Sequence, residues 1–128
     1  SDIVGLTYLL TKRVDSSGKE ESLAELANDT NPKNIFFRLL TEDEITGFDG
    51  CNNYFGNFIW IPKTSKEDLD QLEFVNISAT EMECPSVAFK FLPQDLYYVH
   101  VTEDGTKLSL IETDSSDLYE FTRFENLD

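Results

Sequence analysis

Gly47-Phe48-Asp49-Gly50-Cys51-Asn52-Asn53-Tyr54-Phe55-Gly56-Asn57-Phe58 is the stretch on which the fold turns. Its glycines govern the backbone: Gly47 and Gly50 permit positive φ around a sharp reversal, and Gly56 lets a neighbouring strand pack closely. Asn52 and Asn53 are placed to hydrogen-bond the exposed backbone of the turn. The stretch reads as a tight corner between two strands, braced by its own side chains.

Outward from the corner, residues 54–61 form a strand that is apolar on both faces, with Tyr54, Gly56, Phe58 and Trp60 pointing one way and Phe55, Ile59 and Ile61 the other. A sheet that is greasy on both sides must curl into a barrel or be covered by a helix. Further strands are expected at 3–10, 35–40, 44–48, 72–77, 96–101, 107–111 and 118–124, with Glu103-Asp104-Gly105 as a hairpin turn. Residues 11–33 are polar and read as a loop with one helical turn near residues 22–27. Pro85 suits the first turn of a helix, and Val87, Ala88, Phe91 and Leu92 form a short apolar stripe that Pro93 ends, so a helical lid is expected there. Met82, just before it, is expected to be buried.

The 128 residues carry 25 acidic against 10 basic side chains, a formal charge of -15. Such a field repels phosphate backbones, which argues against nucleic acid as a partner. No apolar run approaches the roughly 20 residues of a spanning helix. The chain opens Ser1-Asp2-Ile3, so any signal peptide or lipid-bearing cysteine is expected upstream, and membrane attachment only through such an anchor.

Chemistry has little to stand on. His100 is the lone histidine and lies in a strand expected to end in a hairpin. No nucleophile elbow, zinc helix, phosphate loop or twelve-residue calcium loop occurs, so no catalytic, metal or cofactor-binding residue is assigned. The acidic clusters at residues 42–44 and 67–70 read as solvated turns.

Thirty residues beyond the corner comes Ala79-Thr80-Glu81-Met82-Glu83-Cys84. Gly50-Cys51-Asn52 with Gly56 and Phe58, then Ala79-Thr80-x-Met82-x-Cys84, a closing Leu108-x-Leu110 and a final Phe121 together resemble the META domain of HslJ-like proteins, from Tyr8 to Phe121. One departure is Tyr8, where the family's first strand usually has Trp; Trp60 is a candidate for the missing bulk. The resemblance implies an α+β fold, a mostly antiparallel sheet curled into a partial barrel and closed by one short helix, over residues 1–128 as a single domain. It implies a setting in the cell envelope or in secretion, often as a lipoprotein, with links to stress responses and no agreed enzymatic activity. Gly50, Cys51, Asn52, Gly56, Thr80, Met82 and Cys84 carry over as structural motif residues.

Cys51 and Cys84 without histidine companions make a poor zinc site, and the absence of Cys-x-x-Cys argues against a thioredoxin-like role. A disulfide tying the corner to the helix start is favoured over two buried thiols, and it agrees with the oxidising compartment that the family implies. The expected function is that of a monomeric, non-enzymatic, extracytoplasmic module that binds an envelope protein through strand edges or an aromatic patch. Tyr54, Trp60, Tyr97, Tyr98 and Tyr119 are the candidate contacts, most of them expected in the core. The alternative is a carrier whose barrel opens to a small apolar molecule.

Overall fold

The computed structural model describes residues 3–26, 34–84 and 89–124. They form nine strands and one helical turn: β1 (Thr7–Val14), β2 (Glu20–Ser22), α1 (Leu23–Leu26), β3 (Phe36–Leu39), β4 (Glu44–Phe48), β5 (Asn53–Ile61), β6 (Asp70–Ala79), β7 (Asp95–Val101), β8 (Lys107–Glu112) and β9 (Leu118–Arg123). From β3 to β9 each strand pairs antiparallel with the next, and β1 pairs with both β3 and β9. The sheet therefore closes as an eight-stranded barrel, with β2 laid beside the distal half of β1. The expected partial barrel is corrected to a closed one. Closure comes from the ladder Tyr8↔Arg123 to Val14↔Leu118, which satisfies the edges that a partial barrel would leave for a helix to cover.

Alternation aims one side of every strand inward. Tyr8, Leu10, Phe37, Leu39, Ile45, Tyr54, Phe58, Leu72, Leu108, Leu110 and Phe121 are almost fully buried and belong to one core cluster. Burial of these side chains at about 1.5–3 kcal/mol each is the main force that holds the barrel. β5 is buried on one face only, since Phe55 is 61% and Ile59 49% exposed. Its second apolar face lies outside the barrel, not beneath a covering layer.

Two assignments between the strands change. The stretch read as a polar loop carries the end of β1 and all of β2, because Lys12, Arg13 and Val14 pair with Ser22, Glu21 and Glu20. The helical turn α1 sits where expected and is capped reciprocally: the Glu25 amide donates to Ser22 Oγ at 3.2 Å, and the Ser22 amide donates to Glu25 Oε1 at 3.1 Å. Of the expected lid helix, residues 85–88 lie outside the described residues, and residues 89–92 are not helical. Phe91 and Pro93 are buried while Lys90 and Gln94 face outward, a period of two that belongs to an extended strap.

That strap fills the barrel. The Phe91 ring lies 4.7 Å from Tyr119, 5.4 Å from Phe121 and 6.1 Å from Tyr97 between centroids. Phe121 continues the stack to Phe37 at 4.9 Å, and Phe37 to Tyr8 at 5.7 Å. Arg13 closes the far side of the strap, its guanidinium 5.9 Å above the Phe89 ring and its Nη2 donating to Glu21 Oε1 at 2.6 Å.

Candidate functional site

The corner between β4 and β5 is built by two buried polar side chains, Asp49 and Asn52. Asp49 Oδ1 accepts the backbone amides of Cys51 at 2.8 Å and Asn52 at 2.6 Å, and the Asp49 amide donates to the Asn52 carbonyl at 2.9 Å. Gly50, between them, has φ +111°, and a Cβ there would meet the Phe89 carbonyl at 3.0 Å. Only glycine suits both demands. Asp49 is a residue that the sequence reading used merely as part of a turn; an Asp opening a reversal, followed by glycine, is the signal that could have marked it.

Asn52 does not brace its own turn as expected. Its Oδ1 reaches across the corner to accept Thr80 Oγ1 at 2.8 Å and the Met82 amide at 2.7 Å. The Thr80 amide donates to the Asn53 carbonyl at 3.0 Å, so the segment after β6 is held along the corner by three bonds. The Cys51–Cys84 disulfide, with Cα atoms 5.8 Å apart, closes the same junction. The Phe91 amide then donates to the Asp49 carbonyl at 2.9 Å, so the corner also anchors the strap. The motif residues Gly50, Cys51, Asn52, Thr80, Met82 and Cys84 are thus brought together, whereas Gly56 lies apart, within β5.

The expected burial of Met82 is overturned: the residue is 62% exposed. Its backbone amide, not its thioether, is what the corner uses. Gly56 sits at the irregularity in the β5–β6 register between Phe55 and Asn57, where a Cβ would meet the Asn76 carbonyl at 2.8 Å. Gly47 lies within β4 and is not among the positive-φ glycines. A Cβ there would collide with the Tyr54 ring and the Phe36 carbonyl, so close packing, not turn geometry, requires it.

Tyr54, Tyr97 and Tyr119 are buried, Trp60 is half-buried and Tyr98 is 40% exposed. Burial, with Asp49 and Tyr97 nearby, pushes the Tyr54 phenol far above its usual range, and burial likewise raises Tyr97. Tyr8 is fully buried and donates its hydroxyl to the Gly105 carbonyl at 2.8 Å. Trp60 packs against the core with its indole N–H on Asp70 Oδ2 at 3.0 Å. Beside it, at one end of the barrel, lies a half-open hollow of about 470 Å3, walled by Ile3, Leu6, Trp60, Val101, the 102–105 turn and Arg123. His100 is exposed on β7. Among the described residues no group of three or more His, Cys, Asp or Glu is placed to hold a metal ion.

A closed eight-stranded barrel, stopped by its own strap and clamped by a disulfide at one corner, is the class that these features define. The sequence model of the META domain matches residues 6–121, and the chain belongs to that family. An NMR structure described as a protein from Burkholderia xenovorans is similar in fold, with a TM-score of 0.61 at 17% identity over 97% of this chain and 85% of that one. No curated protein matches the sequence.

Proposed function

We propose that the protein is a non-enzymatic, extracytoplasmic binding module that acts as a monomer through the outside of its barrel. The observation that carries this reading is where the motif's polar groups point. Asp49 Oδ1 and Asn52 Oδ1 accept from backbone amides and from Thr80, and Cys51 and Cys84 are bonded to each other, so these groups of the motif build a corner. A disulfide supports an oxidising compartment, since reducing cytosol keeps thiols free. Barrel closure removes most of the strand edges first considered as binding surfaces, which leaves side chains on the outer walls.

The test is photocrosslinking in the source cell, with a photoreactive phenylalanine at Phe55 or Tyr98 on the outside and thiol trapping to read Cys51 and Cys84. A discrete protein adduct from an outer position, with both cysteines blocked from the trap, is the expected result. Free thiols in the mature protein, or no adduct from either position, would overturn the reading.

The carrier alternative keeps one observation in its favour, the hollow beside Trp60, which falls in the volume range of small-molecule sites. It predicts a thermal shift with fatty acids or an apolar dye that Trp60→Ala abolishes.

A further inference from the structure

Along the outside of the barrel, register places apolar side chains in adjacent rows. Ile61 pairs with Gln71, Gln71 with Tyr98, Tyr98 with Ile111 and Ile111 with Leu118, all on the outward face of β5 to β9. In the next row Ile59 pairs with Glu73 and Glu73 with Leu96. Four inter-strand steps make this band about 19 Å long. Ile59 and Tyr98 are its most exposed members, and Tyr98 lies at its centre. Ile61, Leu96, Ile111 and Leu118 are half-buried and Gln71 and Glu73 interrupt the rows, so Ile59 and Tyr98 stand out from a mixed wall; exposed apolar side chains rimmed by polar ones mark interaction sites. On its other side the outward row changes character: His100, Ser109, Glu120 and Lys12 follow one another, and Glu120 holds both Lys12 and Lys107 at 3.9 and 3.8 Å. The band has a polar rim and ends there.

Its charge selects the occupant. Glu73 lies inside the band, and Asp114 and Asp117 lie in the turn that joins β8 to β9, between Ile111 and Leu118 in the chain, whereas Glu112, paired with Tyr97, belongs to the inward row. Burial first, then the charges of Asp117 and Asp114, push the neighbouring Glu112 carboxyl above its ordinary range. The nearby lysines on the rim are already engaged by Glu120. A second copy of a chain carrying -15 would be repelled, as would an anionic lipid surface.

We infer that the wall formed by Ile59, Ile61, Leu96, Tyr98, Ile111 and Leu118 docks a cationic amphipathic segment of a partner protein, whose apolar side chains cover Tyr98 while its Lys or Arg groups meet Glu73 and the acidic β8–β9 turn. This deepens, and rests on, the binding-module reading. It is tested on the intact chain with three synthetic peptides of equal length: amphipathic Lys/Leu, Lys/Ser of the same charge, and amphipathic Glu/Leu. Binding is read by fluorescence anisotropy, and the contact surface by amide chemical shifts.

The Lys/Leu peptide is expected to bind and to shift the amides of the six wall residues. The Lys/Ser and Glu/Leu peptides are expected to bind far more weakly. Tyr98→Ser combined with Ile111→Thr is expected to weaken Lys/Leu binding roughly tenfold or more, as truncation of an aromatic hot spot does. Equal binding of the Lys/Ser peptide, or shifts centred elsewhere, would overturn the inference. The mapping uses the unaltered chain and so decides the matter even if the variant fails to fold. A crosslinked cellular partner lacking a basic segment would refute the partner chemistry yet leave the binding-module reading standing; absence of any adduct would refute both.

Discussion

Replacing Cys51 with Ala and Cys84 with Ser tests whether the corner junction is a clamp. The bridge spans a sequence separation of 33 residues. In the chain-entropy treatment, a closed loop of that length removes about 12.5 cal/mol/K from the unfolded state, or roughly 3.7 kcal/mol at 25 °C. With a typical unfolding entropy of about 2.1 cal/mol/K per residue over this chain, that loss lowers Tm by roughly 14 °C. Urea unfolding followed by far-UV circular dichroism, alongside calorimetry, measures both. The urea slope should rise, because an unfolded chain without the bridge exposes more surface. Reduced wild-type protein serves as the control, since it loses the bridge but keeps both sulfurs. It should agree with the variant to within about 1 kcal/mol, the scale set by truncating the buried Cys51 side chain. A variant less than about 1 kcal/mol below the oxidised protein would refute the reasoning, because hydrogen bonds alone would then hold the junction.

Asn52→Ala removes the acceptor for Thr80 Oγ1 and the Met82 amide and should cost about 2 kcal/mol in urea unfolding; a change below about 0.5 kcal/mol would mean that the Asn52 bonds contribute nothing net. Phe91→Ala should cost about 3–5 kcal/mol and open a cavity that takes up xenon or benzene by NMR, and a loss under about 1 kcal/mol would show that the strap does not plug the barrel. Asp104 is held down to about 2, first by the Thr106 amide, then by the Thr106 and Thr102 hydroxyls. Its folded value lies below the unfolded 3.8, so its contribution to stability is present above about pH 4 and is lost as pH falls through about 2. An NMR titration that places its midpoint at 3.8 or higher would disprove the turn geometry.

Local pattern made the β7–β8 hairpin readable, because Leu96 to Val101 alternates and Glu103-Asp104-Gly105 can only be a turn. The same period of two existed in Phe89, Phe91 and Pro93, yet the spacing of Val87, Ala88, Phe91 and Leu92 fits a helical stripe equally well. Tertiary space decided between them: the barrel offers Phe91 a slot between Tyr119, Tyr97 and Phe121, which a sequence window cannot see. Closure was hidden for a related reason. It depends on Leu10 meeting Phe121, residues at opposite ends of the chain, and no local signal reports such a pairing. The motif was legible as a set of residues but not as a set of bonds. Asn52 could be assigned to a turn by its type, whereas its actual partners, Thr80 and the Met82 amide, become neighbours only once β5 and β6 pair.

Closure also restricts how a partner can be held. Strand addition needs an unpaired edge, and among the described strands the eight of the barrel present both edges to neighbours. β2 is only three residues long and carries Glu20 and Glu21 on a short, charged margin, a pattern that resists edge pairing. On the proposed reading, a partner is therefore recognised by side chains standing out from the walls. Their contribution depends on fixed backbone positions, because a side chain on a yielding sheet loses entropy when it is covered. The clamp at Cys51–Cys84 and the aromatic stack behind Phe91 supply that fixity from inside. On that reading the inner construction supports the outer apolar band. Loosening the corner should weaken binding at Tyr98 through loss of preorganisation, although the corner itself is no part of the band.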